Sequence, residues 1–235
     1  MWIKICGVTR TEDVFVVIHA GADAIGFNFF PASKRFVSIA AARTLAEIAR
    51  QVSADRPQVD LVGVFVNAAA NAVRETVEAV GLNAIQLHGD ESPEQVAVIN
   101  DLCPALPIIR AFRVDPKNPD RTLDDIDRLT ALVPVSAILL DALVPGEFGG
   151  TGARVDLRIL PRYCEQTRPP LILAGGMTPA NVASIAGRDA IWGIDTASGV
   201  ESSPGIKDQT MIDEFVKAAR GALHSNLLQV HTRIE

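Results

Sequence analysis

No apolar run in this chain of 235 residues approaches the roughly 20 residues that a membrane-spanning helix needs. The opening segment, Met1-Trp2-Ile3-Lys4-Ile5-Cys6, lacks the basic region, long apolar stretch and small-residue cleavage site of a secretory signal. Cysteine is scarce. Cys6, Cys103 and Cys164 are odd in number and widely spaced, so they form neither a disulfide framework nor a CxxC pair. A reducing cytoplasm is the expected compartment. Positive charge is also in short supply: the net charge of −6 argues against a nucleic-acid backbone as the main partner. It leaves room for a local loop that binds a phosphorylated metabolite. There is no low-complexity segment and no block of like charge long enough to imply disorder.

What the chain does contain is a repeated alternation. Hydrophobic residues make up 48% of it, enough for a substantial core. Short apolar runs without strict polar alternation read as strands covered on both faces by helices. They fall near Trp2–Cys6, Ala24–Phe29, Leu61–Val66, Ala84–Leu87, Ile108–Val114, Ala137–Asp141, Leu171–Ala174 and Ala190–Asp195. Amphipathic stretches start near Thr11, Ile39, Asn71, Pro93, Asp124, Asp156, Pro179 and Asp208. Ser92-Pro93 with Gln95 is a capping box carrying proline at the first helical position. Thr178-Pro179 and Ser38 mark further helix starts, while Gly21 and Gly81 stand where two helices should stop. Eight right-handed strand–helix units predict an α/β fold, a single-domain (β/α)8 TIM barrel over residues 1–222 with a tail at 223–235. The competing open sheet would carry GxGxxG after its first strand, where this chain has Cys6-Gly7-Val8-Thr9-Arg10.

Barrel chemistry sits at the carboxyl ends of strands. There the sequence places Cys6, Asn28, Gln86, His88, Asp141 and Asp195. Lys4 and Cys6 share a parity, so both should face one side of the first strand. If that side is the interior, Lys4 is a candidate for lowering the ionisation of the Cys6 thiol. Cys103 and Cys164 read as packing residues. Asp141 follows three large aliphatics, and the resulting desolvation should favour a neutral, proton-donating carboxyl. Glycine loops follow the last three strands: Gly149-Gly150-Thr151-Gly152, Gly175-Gly176 and Ser198-Gly199. They expose backbone N–H groups to an anion, and a short helix near Ser198 would add its N-terminus. Lys34-Arg35 lies on the loop after the second strand, where the fork of Arg35 suits a carboxylate.

In combination these segments resemble the phosphoribosylanthranilate isomerase family, the barrel enzymes of tryptophan biosynthesis. The resemblance is carried by Lys4-Ile5-Cys6-Gly7-Val8-Thr9, Gly21-Ala22-Asp23-Ala24-Ile25-Gly26-Phe27, Ser33-Lys34-Arg35, Val62-Gly63-Val64-Phe65-Val66-Asn67, Gln86-Leu87-His88-Gly89, Leu139-Leu140-Asp141, Gly149-Gly150-Thr151-Gly152, Leu173-Ala174-Gly175-Gly176 and Asp195-Thr196-Ala197-Ser198-Gly199-Val200-Glu201. These segments occur in the family's order, and the resemblance runs from about residue 3 to 221. It implies an Amadori rearrangement of N-(5′-phosphoribosyl)anthranilate, with Cys6 as general base and Asp141 as general acid. It also implies that Arg35 contacts the anthranilate and that Gly150, Gly152, Gly175, Gly176, Ser198 and Gly199 surround the phosphate. It implies no metal and no cofactor, a phosphorylated small molecule as sole partner, no nucleic acid or membrane, and a monomer or homodimer. Val155-Asp156-Leu157 departs from the family's usual aromatic-Asp-Trp pattern, and the tail exceeds the family's usual end. The alternatives are another ribose-phosphate barrel enzyme, a catalytically silent phosphate-binding barrel, and a cysteine hydrolase pairing Cys6 with His88.

Overall fold

A computed structural model describes residues 1–142, 155–186 and 188–231, with side chains described through residue 222. Its parallel strands close on themselves in sequence order, β1 (Trp2–Cys6), β2 (Ala24–Asn28), β3 (Asp60–Phe65), β4 (Ala84–Leu87), β5 (Ile108–Val114), β6 (Ala137–Ala142), β7 (Leu171–Leu173) and β8 (Gly193–Thr196), and β8 pairs back onto β1. The helices are α1 (Thr11–Ala20), α2 (Ile39–Val52), α3 (Ala70–Val80), α4 (Pro93–Leu102), α5 (Pro119–Thr130), α6 (Ile159–Tyr163), α7 (Pro179–Ala186) and α8 (Gln209–His231). A single 3₁₀ turn (Ser198–Val200) and a small hairpin, β9 (Glu201–Ser203) with β10 (Ile206–Lys207), separate β8 from α8. The backbone of α8 continues without a break from the barrel wall into the expected tail as far as His231.

Both faces of each strand are buried, which is why the strands read as continuous apolar runs. Alternate residues form two cores. The inner one fills the barrel with small and branched side chains, among them Ala24, Val62, Ala84, Ile109, Leu139 and Ile172. The outer one lies between strands and helices. On α8, Ile212, Phe215, Val216 and Ala219 are buried at helical spacing and form the stripe that docks it. Each fully buried side chain of Ile or Phe size is worth about 1.5–3 kcal/mol against exposure.

The helix signals act as expected at several places. Ser92 and Gln95 cap each other's backbone, and Ser38 accepts the Ala41 N–H. Gly21 and Gly81 end α1 and α3 with φ of 83° and 71°, a left-handed conformation that costs glycine little. Three boundaries differ from the sequence reading by more than one residue. α5 begins five residues earlier than Asp124, because Asn118 caps it and Pro119 occupies its first turn. α6 begins later than Asp156, whose carboxylate instead accepts the N–H of Arg158 at 3.0 Å in a preceding turn. β8 begins at Gly193 rather than Ala190, since Ile191 closes a turn onto the Arg188 carbonyl. Leu157, in the place of the family's usual tryptophan, is half-buried against the outer core.

Candidate active site

One cavity opens at the carboxyl ends of the strands. Cys6, Arg35, His88, Asp141, Asp195, Gly175, Gly176, Ser198 and Gly199 all border it. Every predicted site residue within the described part of the chain is therefore on a single mouth. Gly150 and Gly152 lie outside the described residues.

Cys6 ends β1 and faces inward, in the same file as Lys4. Lys4 is wholly buried, with its Nζ 2.8 Å from Asp195 Oδ1 on the neighbouring strand β8. Burial alone would depress the Lys4 ammonium, but Asp195 and the Cys6 thiol outweigh it and hold it above its ordinary value. For Cys6 the balance goes the other way. Burial pushes the thiol up and Asp195 adds to this; Lys4 and Lys207 oppose it without reversing it. The expected lowering of the thiol by Lys4 is thus real in sign but outweighed. The space beside the thiol is held open by Gly26 on β2, where a Cβ would stand 2.9 Å from Cys6 Sγ and 3.2 Å from Lys4 Nζ.

Asp141 lies in β6 and also faces inward. Its Oδ1 accepts the N–H of Ala142 at 2.8 Å, and its Oδ2 lies 3.2 Å from His88 Nε2. The other ring nitrogen of His88 meets Gln86 Nε2 at 2.8 Å. Both ring nitrogens are therefore engaged away from Cys6, which removes the geometry a Cys6–His88 hydrolase needs. The carboxylate facing His88 is that of Asp141, two strands away.

Arg35 projects from the β2–α2 loop. Its Nε and Nη2 grip the Glu201 carboxylate at 2.8 and 2.7 Å. Glu201 in turn receives Lys207 Nζ at 2.9 Å, and Lys207 also donates to the carbonyls of Cys6 and Ala197 at 2.6 and 2.9 Å. Arg35 is held above its ordinary value chiefly by its hydrogen bonds to Glu201. Burial would raise Glu201, yet Arg35 and Lys207 together hold it below the usual carboxylate range. Burial depresses Lys207 despite Glu201. Lys207 escaped the sequence reading because it sits two residues before a helix with no strand around it. The turn residues Ser203-Pro204-Gly205 were the available sign of the hairpin that carries it.

The anion cradle lies at the ends of β7 and β8. Gly175 and Gly176 have φ of 75° and 60°, and among the described residues no protein group accepts the N–H of either one or of Met177. Gly199 packs so closely that a Cβ there would come within 1.7 Å of the Met177 carbonyl oxygen. The 3₁₀ turn begins at Ser198, and Ser198 and Gly199 border the same cavity. Of the remaining cysteines, Cys103 is buried as expected, whereas Cys164 is exposed at the end of α6 and is not a packing residue.

Comparison with known proteins gives the family of the chain. The profile of the N-(5′-phosphoribosyl)anthranilate (PRA) isomerase family matches residues 3–218. The chain belongs to this family. An N-(5′-phosphoribosyl)anthranilate isomerase from Myxococcus xanthus is 40% identical over 222 residues, spanning 93% of this chain and 95% of that one. Among solved structures, the phosphoribosylanthranilate isomerase of Thermotoga maritima superposes with a TM-score of 0.77 at 35% identity, covering 94% of this chain and 99% of that one. A structure of a phosphoribosylanthranilate isomerase in complex with reduced 1-(o-carboxyphenylamino)-1-deoxyribulose 5-phosphate gives 0.74 at 33% identity, with the same coverage. The PRA isomerase family thus accounts for the barrel and for all but the two ends of the chain.

Proposed function

We propose that this chain isomerises N-(5′-phosphoribosyl)anthranilate to 1-(2-carboxyphenylamino)-1-deoxyribulose 5-phosphate in tryptophan biosynthesis, with Asp141 as general acid and Cys6 as general base. The observation that carries the assignment is that a thiol and a carboxyl border one cavity beside backbone N–H groups that no group among the described residues accepts. Residues 1–222 form the catalytic unit, acting in the cytoplasm as a monomer or homodimer.

The substrate phosphate occupies the cradle of Gly175, Gly176, Ser198 and Gly199, completed by Gly150 and Gly152. Arg35, already aligned by Glu201, offers its remaining N–H groups to the anthranilate carboxylate. Protonated Asp141 gives its proton to the furanose ring oxygen. The C1′–O4′ bond breaks, and the nitrogen lone pair forms a C1′=N⁺ iminium. That cation acidifies the C2′ proton, which the Cys6 thiolate removes. The freed electron pair becomes the C1′=C2′ bond of an enolamine, and nitrogen returns to neutrality. Loss of the enol O–H proton and gain of a proton at C1′ give the ketone. No atom is gained or lost overall, and no step calls for a metal or redox cofactor.

The test is a fluorescence assay following loss of phosphoribosylanthranilate generated in situ. Cys6→Ala and Asp141→Asn should each lower kcat by roughly 10²–10⁴-fold while the product still binds. Near-normal turnover in either variant removes that residue from the reaction.

A further inference from the structure

His88 stands beside Asp141 but takes no step in the rearrangement above. It lies just beyond the end of β4, and Arg110 on β5 fixes it there by donating to the carbonyls of Leu87 and Gly89 on either side, at 3.1 and 3.3 Å. Gln86, two residues earlier, is fully buried, and among the described residues its Oε1 has no hydrogen-bond partner. In this orientation the amide leaves its acceptor and one of its two N–H groups unpaired among the described residues, and an unpaired N–H is the costlier of the two. Turned over, it would place the NH₂ group, with two donors, in the same unpartnered position, at greater cost. The NH₂ group therefore faces the ring. An amide nitrogen donates and does not accept, so His88 Nδ1 must be the acceptor of the 2.8 Å bond. The ring proton is then on Nε2, directed at Asp141 Oδ2 at 3.2 Å.

We infer that Gln86 and His88 form a positioning pair for the general acid: Gln86 sets the histidine tautomer, and the Nε2–H group is a donor prepared for the carboxylate that Asp141 becomes. This rests on the reading of Asp141 as the acid. Once the proton leaves, Oδ1 faces the Ala142 N–H and Oδ2 faces the His88 N–H, so each oxygen meets one fixed donor as charge develops. The same tautomer denies the proton another route. Nε2 already carries a hydrogen and cannot take one from Asp141, so the proton is left to the substrate ring oxygen. Among the described residues, the other charged and titratable groups on the shared cavity are Cys6 from β1, Asp195 from β8 and Arg35 from the β2–α2 loop. From β5, Arg113 stands in register with Asp141 and is ion-paired with Asp90, while Arg110 is near Glu91. The guanidinium of Arg110 donates to the backbone carbonyls of Leu87, Gly89, Glu91 and Ala111.

The direct test is nitrogen-15 NMR of the histidine rings in the intact wild-type protein, with His88 assigned among the four histidines by its loss in His88→Gln. The expected state at neutral pH is the neutral ring protonated at Nε2. In Gln86→Glu a carboxylate would face Nδ1 and draw a proton there, giving a doubly protonated ring beside Asp141. Asp141 would then keep its charge to lower pH. The expected result is a kcat about 10–100-fold lower at neutral pH, a KM close to wild type, and a pH–rate profile displaced toward acid. A purely structural role would not move that profile. A wild-type ring protonated at Nδ1 alone overturns the inference, as does Gln86→Glu with an unaltered ring and profile. Should Gln86→Glu fail to fold, the wild-type spectrum still decides. Full activity of Asp141→Asn would defeat the general-acid reading itself, and is told apart from failure of the tautomer because the wild-type His88 spectrum reports the ring proton independently of turnover.

Discussion

Lys4 and Asp195 form an ion pair of 2.8 Å inside the barrel, directly below the thiol of Cys6. The two partners act on Cys6 in opposite directions, since Lys4 favours the thiolate and Asp195 disfavours it. Replacing Lys4 by methionine removes the favourable charge and leaves the other one exposed to no counter-ion. The Cys6 thiol should then ionise at higher pH than in the wild type, and the rising limb of the pH–rate profile should move to the alkaline side. An unpartnered buried carboxylate should also cost about 3–5 kcal/mol of stability. Ultraviolet thiolate absorbance, kinetics and denaturant unfolding read the three effects separately. An unmoved thiol titration would show that Lys4 does not reach Cys6.

Glu201 links the arginine loop to the hairpin before α8, and its ionisation should appear in the acid stability of the fold. Its carboxyl is held below the usual range by Arg35 and Lys207 against the effect of burial. A depressed folded value means that the stabilising contribution is complete above the unfolded value of about 4.3 and is lost as pH falls through the folded one. Glu201→Gln should therefore melt at a lower temperature than wild type at neutral pH. The difference should narrow below about pH 4. A gap that stays constant with pH would mean that shape rather than charge holds the site together.

Gly199→Ala tests the cradle. The added methyl would come 1.7 Å from the Met177 carbonyl oxygen, which Thr196 Oγ1 already holds at 2.8 Å. Because the obstacle is backbone, the 3₁₀ turn must move away from the glycine loop. Affinity for the phosphorylated product, measured calorimetrically, should fall at least about tenfold, or about 1.4 kcal/mol. Unchanged affinity would place the phosphate elsewhere.

The three cysteines should separate in a labelling experiment. Cys164 is exposed and should react first with a thiol reagent, and Cys103 is buried and should react last. Cys6 borders the cavity and should react at an intermediate rate that falls when product is added. Mass spectrometry of timed digests distinguishes them. A Cys6 rate indifferent to product would detach that thiol from the binding site.

Much of the barrel was legible because its rules are local. Parity along β1 was enough to place Lys4 and Cys6 on one side, and strand ends were enough to nominate Cys6 and Asp141. Ser38, Ser92, Gly21 and Gly81 marked helix ends through contacts within a few residues. Asn118-Pro119 carried the same kind of signal and was overlooked in favour of the apolar spacing that follows it. The Gln86–His88 contact joins neighbours in sequence, but its meaning depends on Asp141, 53 residues beyond His88.

The order of strands and helices, their caps, and the residues brought to the catalytic rim were determined by the sequence alone, since each depends on patterns repeated over one or two turns of backbone. Closure of the sheet decided the rest. It paired Lys4 with Asp195 across 191 positions and Arg35 with Glu201 across 166, and it brought Lys207 under the carbonyl of Cys6. It also decided that burial outweighs the nearby cations at the thiol. Coulomb energies and desolvation depend on distance through space and on what excludes water, and neither quantity exists until the chain has closed around them.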